Sequence, residues 1–193
     1  MNDQFRADLH CHSTCSDGTL TPTEIIQLGC QLNLQGLSIT DHDTIAAYQE
    51  AVPIAKTNGI SLISGVELSA THRQTSVHIL GYSFSLNSLI INEFCQHHSE
   101  RRKLRYQKIL DLLTSQGMPL SSEDFNFIPS THSLGRPHIA SAMVKKGYVR
   151  NIQQAFREYL GEGKSCYVPG ATFSVEETLE VIHKANGLAI IAH

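Results

Sequence analysis

Near the start of the chain, Asp8-Leu9-His10-Cys11-His12 runs into Ser16-Asp17-Gly18. Residues two apart on a strand share a face, so His10 and His12 can offer two imidazoles to one cation. A Ser-Asp-Gly turn can swing the Asp17 carboxylate back over the strand end. Four more candidates each follow or sit on a short apolar segment: His42 after 36–40, Glu67 after 60–66, His78 within 77–82, and His193 after 188–192. Mixed imidazole and carboxylate donors suit divalent metals. Two such cations roughly 3.5–4 Å apart, bridged by a carboxylate, can share a water and lower its pKa toward neutrality. The hydroxide so formed can attack phosphorus in line while the cations neutralise the phosphoryl oxygens. Glu67 is the one glutamate at a strand end in this set, which makes it the expected bridge. Asp8 and Asp41 stand beside ligand candidates; each either orients an imidazole through its other ring nitrogen or serves as a turn or cap residue.

A second set is cationic. Gly135-Arg136-Pro137-His138 reads as a helix start, with Pro137 preset for the first turn. Arg136 offers a bidentate fork to phosphate, and helix N-terminal amides favour anions, so Arg136 and His138 are candidate phosphate contacts. Lys164, in the glycine-rich loop 161–164, is a further one. Residues 83–170 hold eleven Lys and Arg against seven Asp and Glu, a net +4, whereas the remainder carries −7. That division suits an anionic substrate held between metals and cations; it is equally the signature of a solvated helical surface. Arg101, Arg102 and Arg105 are read as such a surface, and His72, His97, His98, His132 and His183 as surface or cap residues.

The elements that must position these groups alternate. Thr21-Pro22-Thr23-Glu24 is a capping box opening a helix. Strand 36–40, a helix over 44–56 with Ala46, Ala47, Ala51, Val52 and Ala55 as its small packing face, strand 60–66 and strand 77–82 follow. Such alternation implies parallel β/α units, whose strand C-termini collect functional groups. Residues 87–170 change character: a long charged helix over 92–116, an irregular stretch, then short helices. Ser174 to Glu177 repeats the capping box before the final strand. The expected division is therefore 1–86, a helical insertion over 87–170 covering the barrel mouth, and 171–193.

These motifs, taken in order, resemble those of the PHP (polymerase and histidinol phosphatase) family: His10-x-His12 with Asp17-Gly18, Thr40-Asp41-His42, Gly65-Val66-Glu67, His78 and Ala192-His193. The wording around His10 and the Gly135-to-His138 insertion are most similar to its stand-alone 3′,5′-nucleotide bisphosphate phosphatases and 5′-to-3′ exoribonucleases. The resemblance implies a distorted (β/α)7 barrel and two or three divalent ions, Mn, Fe or Zn. It implies one metal on His10, His12 and Glu67, a second on Glu67, His78 and His193, and a third on Asp17 and His42, with Glu67 and His193 central to catalysis. The family's last motif, Asp-x-His, has no counterpart here, which makes a truncated chain and an incomplete site the expectation.

The expected activity is thus metal-dependent hydrolysis of nucleotide phosphates or short RNA 5′ ends. The alternatives are a histidinol-phosphate-type phosphatase and a catalytically incomplete metal-binding module. No apolar run approaches the roughly 20 residues that span a bilayer. The first residues lack a basic-then-apolar leader, and the five cysteines show no Cys-x-x-Cys pair. A cytoplasmic protein with reduced thiols, and neither a membrane nor double-stranded DNA as partner, is expected.

Overall fold

The capping boxes form as the sequence predicts. The computed structural model describes residues 5–73, 75–126, 135–170 and 173–193. Thr21 Oγ1 accepts from the Glu24 N–H at 3.2 Å while Glu24 Oε2 accepts from the Thr21 N–H at 2.8 Å, opening α1 (Pro22–Gln31). Ser174 and Glu177 repeat the exchange at 3.0 and 2.7 Å to open α6 (Val175–Lys184). Each pair satisfies two of the amides that a helix start leaves without partners. Helix α2 (Ala47–Asn58) begins later than expected and stops at Gly59, whose φ is 70°. Its buried face is Ala47, Tyr48, Ala51 and Ala55; Ala46 and Val52 are exposed instead.

The chain divides into two compact units, Met1–Ser99 with Thr172–His193, and Glu100–Ala171. In the first, β1 (Ala7–Cys11), β2 (Gly36–Ile39) and β3 (Ser61–Leu62) form a parallel sheet. Strands β4 (Gly65–His72), β5 (Thr75–Tyr82) and β6 (Leu188–Ile191) form a second sheet that is antiparallel throughout. The predicted parallel alternation therefore holds only for the first half. The connection between β4 and β5 is too short for a crossover helix, so these strands can pair only as a hairpin.

The predicted strand over 60–66 is two strands with a bend at residues 63–64. Strand β3 pairs with the start of β2, and the Ile63 N–H still donates to Leu37 O at 2.9 Å. After the bend, β4 meets the chain just beyond β2 through a parallel bridge between His42 and Glu67. Tyr48 Oη, 2.9 Å from Ile39 O and 2.8 Å from Ile63 O, holds the bend from α2. Glu67 consequently lies inside β4, not at a strand end, and this interior placement buries it.

The curl continues across the antiparallel half. Tyr82 Oη donates to Leu9 O of β1 at 2.7 Å, and His10 and His193 stack with ring centroids 5.9 Å apart. No ladder joins β6 to β1 among the described residues, so the architecture is a mixed α/β fold rather than a closed barrel. Two apolar clusters support it. Ile25, Ile26, Leu37, Ile39 and Ala51 pack the parallel half, and Val66, Leu68, Ile79, Phe94 and Ile182 pack the antiparallel half.

The second unit has its own core, from Ile109 and Leu113 of α3 (Leu89–Ser115) with Ile139, Met143, Leu160 and Cys166. Helix α4 (Arg136–Lys145) carries Pro137 in its first turn. Asn151 caps α5 (Ile152–Ala155), which runs on into a π-helical turn, Phe156–Leu160.

The bend between β3 and β4 makes one prediction. A Cβ at Gly65 would overlap Ser38 Oγ, a fully buried atom of β2, and crowd Thr40 Cγ2 at 3.0 Å. Gly65→Ala should destabilise the fold by about 1–3 kcal/mol, the usual cost of overpacking, read as a lower thermal midpoint. An unchanged midpoint would mean that β2 and β4 can part without cost.

Candidate metal centre

Strand β4 brings the acidic centre of the site. The Asp43 N–H donates to Glu67 O at 2.9 Å, and the Glu67 N–H to Asp41 O at 3.2 Å, so the residues around His42 are laced to the backbone of Glu67. On β5, His78 sits opposite Ser69, diagonal to Glu67 on the same face of the hairpin. Diagonal neighbours on one face are within reach of long side chains. The Ala192 N–H donates to His78 O at 3.0 Å, which sets His193 beside His78. The antiparallel course matters here, because it puts His78, in the middle of β5, beside the middle of β4.

The Glu67 side chain is 1% exposed, and its two oxygens face different histidines. Oε2 lies 3.0 Å from His10 Nε2, 2.9 Å from His12 Nε2 and 3.7 Å from His42 Nδ1. Oε1 lies 2.8 Å from His78 Nδ1 and 3.4 Å from His193 Nε2. Asp17 joins from the rim: its Oδ1 is 3.2 Å from His12 Nδ1 and its Oδ2 is 3.7 Å from His42 Nε2. All seven sequence-derived ligand candidates thus meet around one carboxylate. Three sets have donor atoms within 4.8 Å of one another: His10, His12 and Glu67; His12, Asp17 and His42; and His42, Glu67 and His78.

Burial would raise the Glu67 pKa, but the imidazoles of His12, His78, His42 and His10 gathered around it hold it well below the ordinary carboxylate range. The hydrogen bond to Asp17, then that to Glu67, pushes His12 up to about 9. The same His12 contact pulls Asp17 down to about 2. His42 moves the other way, lowered by burial. Three buried atoms, His42 Nδ1, Glu67 Oε1 and His78 Nδ1, make no hydrogen bond, although the last two are 2.8 Å apart. Buried polar atoms are nearly always satisfied. Lone pairs left over in this number, on borderline and hard donors turned toward one another, fit divalent cations.

Asp41 and Asp8 do not touch the imidazoles. Asp41 accepts from the Ser13 N–H at 2.7 Å, from Ser13 Oγ at 2.6 Å and from Ser16 Oγ at 2.6 Å. It pins the turn that presents Asp17, so its effect reaches the site through the backbone. Asp8 accepts from the His10 backbone N–H at 3.1 Å. Cys11 points away from the histidines, its Sγ donating to Ser38 O at 3.3 Å.

Of the described histidines without a motif, three behave as expected and one does not. His72, His97 and His183 are exposed, and His132 lies outside the described residues. His98 is buried, with its Nδ1 3.3 Å from Asp43 Oδ1. The sequence signal was available: Ile91, Phe94, Cys95 and His98 follow a helical stripe, and all four are buried.

In the second unit, Arg136 lies over the Phe156 and Tyr167 rings at 5.8 and 5.5 Å and reaches Leu160 O at 3.3 Å. Arg105, expected on a solvated face, is instead half-buried: its Nε donates to Val168 O at 2.8 Å, and burial together with the Arg136 charge lowers its pKa to about 10. The Gly135 N–H donates to His138 Nδ1 at 3.0 Å, and Lys164 is exposed.

The sequence model described as the PHP domain matches residues 8–168, and the chain belongs to that family. It is 39% identical over 186 residues to a 5′-3′ exoribonuclease of Haemophilus influenzae, covering 96% of this chain and 68% of that protein. It is 32% identical over 187 residues to a 3′,5′-nucleoside bisphosphate phosphatase of Chromobacterium violaceum, covering 96% and 66%. A solved structure from Bifidobacterium adolescentis, named as a candidate metal-dependent phosphoesterase, superimposes with a TM-score of 0.84 at 30% identity, over 98% of this chain and 67% of that one. The chain therefore spans about two thirds of the length of the relatives it matches. The family and the clustered donors together support use of divalent metal. No helix among the described residues is long and apolar enough to cross a membrane.

The turn below the site can be tested directly. A Cβ at Gly18 would overlap the backbone carbonyl of His12, which cannot rotate away. Gly18→Ala should displace Asp17 from His12, seen as a shift of the His12 ring resonances together with a lower thermal midpoint. Unchanged resonances would show that Asp17 is placed by something other than this close approach.

Proposed function

We propose that this chain carries the metal centre of a phosphoesterase that hydrolyses phosphate esters of nucleotides, 3′,5′-bisphosphates or short RNA 5′ ends. One observation carries the reading: the buried Glu67 turns each carboxylate oxygen toward a separate group of histidines. That is the geometry of a bridging ligand. In this reading His10, His12 and Glu67 hold one ion, Glu67, His78 and His193 a second, and Asp17 with His42 a third. Mn, Fe and Zn all accept such donors. Bound ions of this kind lower the pKa of water and neutralise charge growing on a phosphoryl group.

The protein's own residues have distinct tasks. Glu67 keeps its negative charge at any physiological pH, because the histidines stabilise the carboxylate. Asp17 is exposed at the rim, where a polar substrate enters. Arg136, with its planar group stacked on two aromatic rings, is preset to grip a phosphate or carboxylate. His138 and Lys164 are further candidates for anionic substrate groups. The activities for which the relatives are named, an exoribonuclease and a bisphosphate phosphatase, suggest the nucleotide class. On this reading the enzyme works in the cytoplasm, where nucleotides and RNA ends are found.

Phosphate release from adenosine 3′,5′-bisphosphate, from 5′-phosphorylated short RNA and from histidinol phosphate tests the substrate class. The first two should be cleaved and the third spared; the reverse order would favour a histidinol-phosphate-type enzyme. Metal uptake without turnover of any of them would favour a binding module. Glu67→Gln should lose bound metal and activity together, and retention of both would remove Glu67 as the bridge. Arg136→Ala should raise KM at unchanged metal content, and unaltered kinetics on every phosphate substrate would remove it from the substrate contacts.

A further inference from the structure

Just behind His42 the backbone adopts a conformation that needs a holder. Asp43 has a φ of 57°, in the left-handed region that few side chains other than Asn and Asp adopt readily. Its carboxylate is held by β4. Oδ1 accepts from the Ser69 N–H at 2.7 Å and Oδ2 from Ser69 Oγ at 2.9 Å. Ser69 lies two residues beyond Glu67 on β4, so this one carboxylate ties the segment bearing His42 to the strand bearing Glu67. On the other side stands His98 of α3, with Nδ1 3.3 Å from Asp43 Oδ1. The side chains of His98 and Asp43 are 1% and 5% exposed. The His98 ring packs against both Phe94 and Phe173, with centroids at 4.8 and 4.7 Å, and these two rings also touch each other at 4.4 Å.

We propose that His98 is a positioning residue for the metal centre: through Asp43 it holds His42 in place against Glu67. The inference rests on the metal reading above and adds to it a residue outside the ligand set. The physical reason is the burial of the Asp43 carboxylate. A buried carboxylate must keep its hydrogen-bond partners or move toward water. Removing the His98 donor weakens the hold on Asp43, and the left-handed turn at Asp43 relaxes. His42 is bonded to the neighbouring residue, and both its nitrogens sit 3.7 Å from carboxylate oxygens of Glu67 and Asp17. A small rotation there misdirects its lone pair. Outer partners of metal ligands commonly contribute 10–100-fold in metal affinity.

The test is a Co²⁺ titration of the full chain, followed by visible absorption, for wild type, His98→Ala, His98→Asn and Ser69→Ala. The side-chain amide of Asn places a donor where Nδ1 stands in His. His98→Ala should bind Co²⁺ about 10–100-fold more weakly with an altered absorption band. His98→Asn should recover most of that loss, and Ser69→Ala should weaken binding in the same direction. Wild-type affinity and spectrum in His98→Ala would overturn the proposal, and so would equal loss in the Ala and Asn variants, since packing alone would then account for it. Should circular dichroism show His98→Ala unfolded, near-native binding by His98→Asn with weakened binding by Ser69→Ala supports the proposal, and unaffected binding by Ser69→Ala overturns it. Absence of Co²⁺ binding by the wild-type chain overturns the metal reading, and this one with it.

Discussion

A buried negative charge organises this molecule. Glu67 is inaccessible to solvent, and an isolated carboxylate in such a place would be very costly. It is tolerated because five imidazoles from four separate segments converge on it, three toward one oxygen and two toward the other. No neighbouring pair in sequence could provide that shell. The curl of the sheet, the bend between β3 and β4 and the antiparallel return of β5 are what bring the five together. The site is thus a property of the first unit as a whole.

Around that centre runs a polar frame whose side chains hold the backbone that carries Glu67 and the histidines. Asp41 holds the Ser13–Ser16 turn, Asp43 clamps β4, and Tyr48 holds the bend. Each is a buried polar group: the two carboxylates accept from backbone and hydroxyl donors, and the Tyr48 hydroxyl donates to backbone carbonyls. Such fully satisfied networks resist the drift of the ligands away from one another, which matters where imidazoles crowd at centroid distances of 4.6–5.9 Å. Rigid outer contacts of this kind hold a metal site ready before an ion arrives.

The residues that cluster around Glu67 were legible in the sequence because they carry strong local signatures: His-x-His on a strand, Asp in a turn, histidine or glutamate after an apolar run. The capping boxes at Thr21 and Ser174 were legible for the same reason, since capping is settled within four residues. What misled was global. Alternating strands and helices read as parallel, yet whether β4 and β5 pair in parallel depends on the length of their connection and on the sheet they join. The bend that places Glu67 inside a strand is set by Tyr48 on another element, so residues 60–66 alone could not reveal it. His98 went unplaced because a histidine on a charged helix looks solvated until the apolar stripe of Ile91, Phe94 and Cys95 is counted with it. Adjacency in sequence left Asp41 with two roles, orienting an imidazole or holding a turn; its carboxylate goes to Ser13 and Ser16, the turn role.

The most direct measurement of the central claim is anomalous diffraction from crystals of the chain grown with Mn²⁺, collected on the high-energy side of the manganese absorption edge. At least two anomalous peaks are expected, one on either side of Glu67, each within bonding distance of one carboxylate oxygen and of the histidines that face it. A single peak bound away from Glu67, or none, would contradict the claim that this carboxylate bridges metal ions.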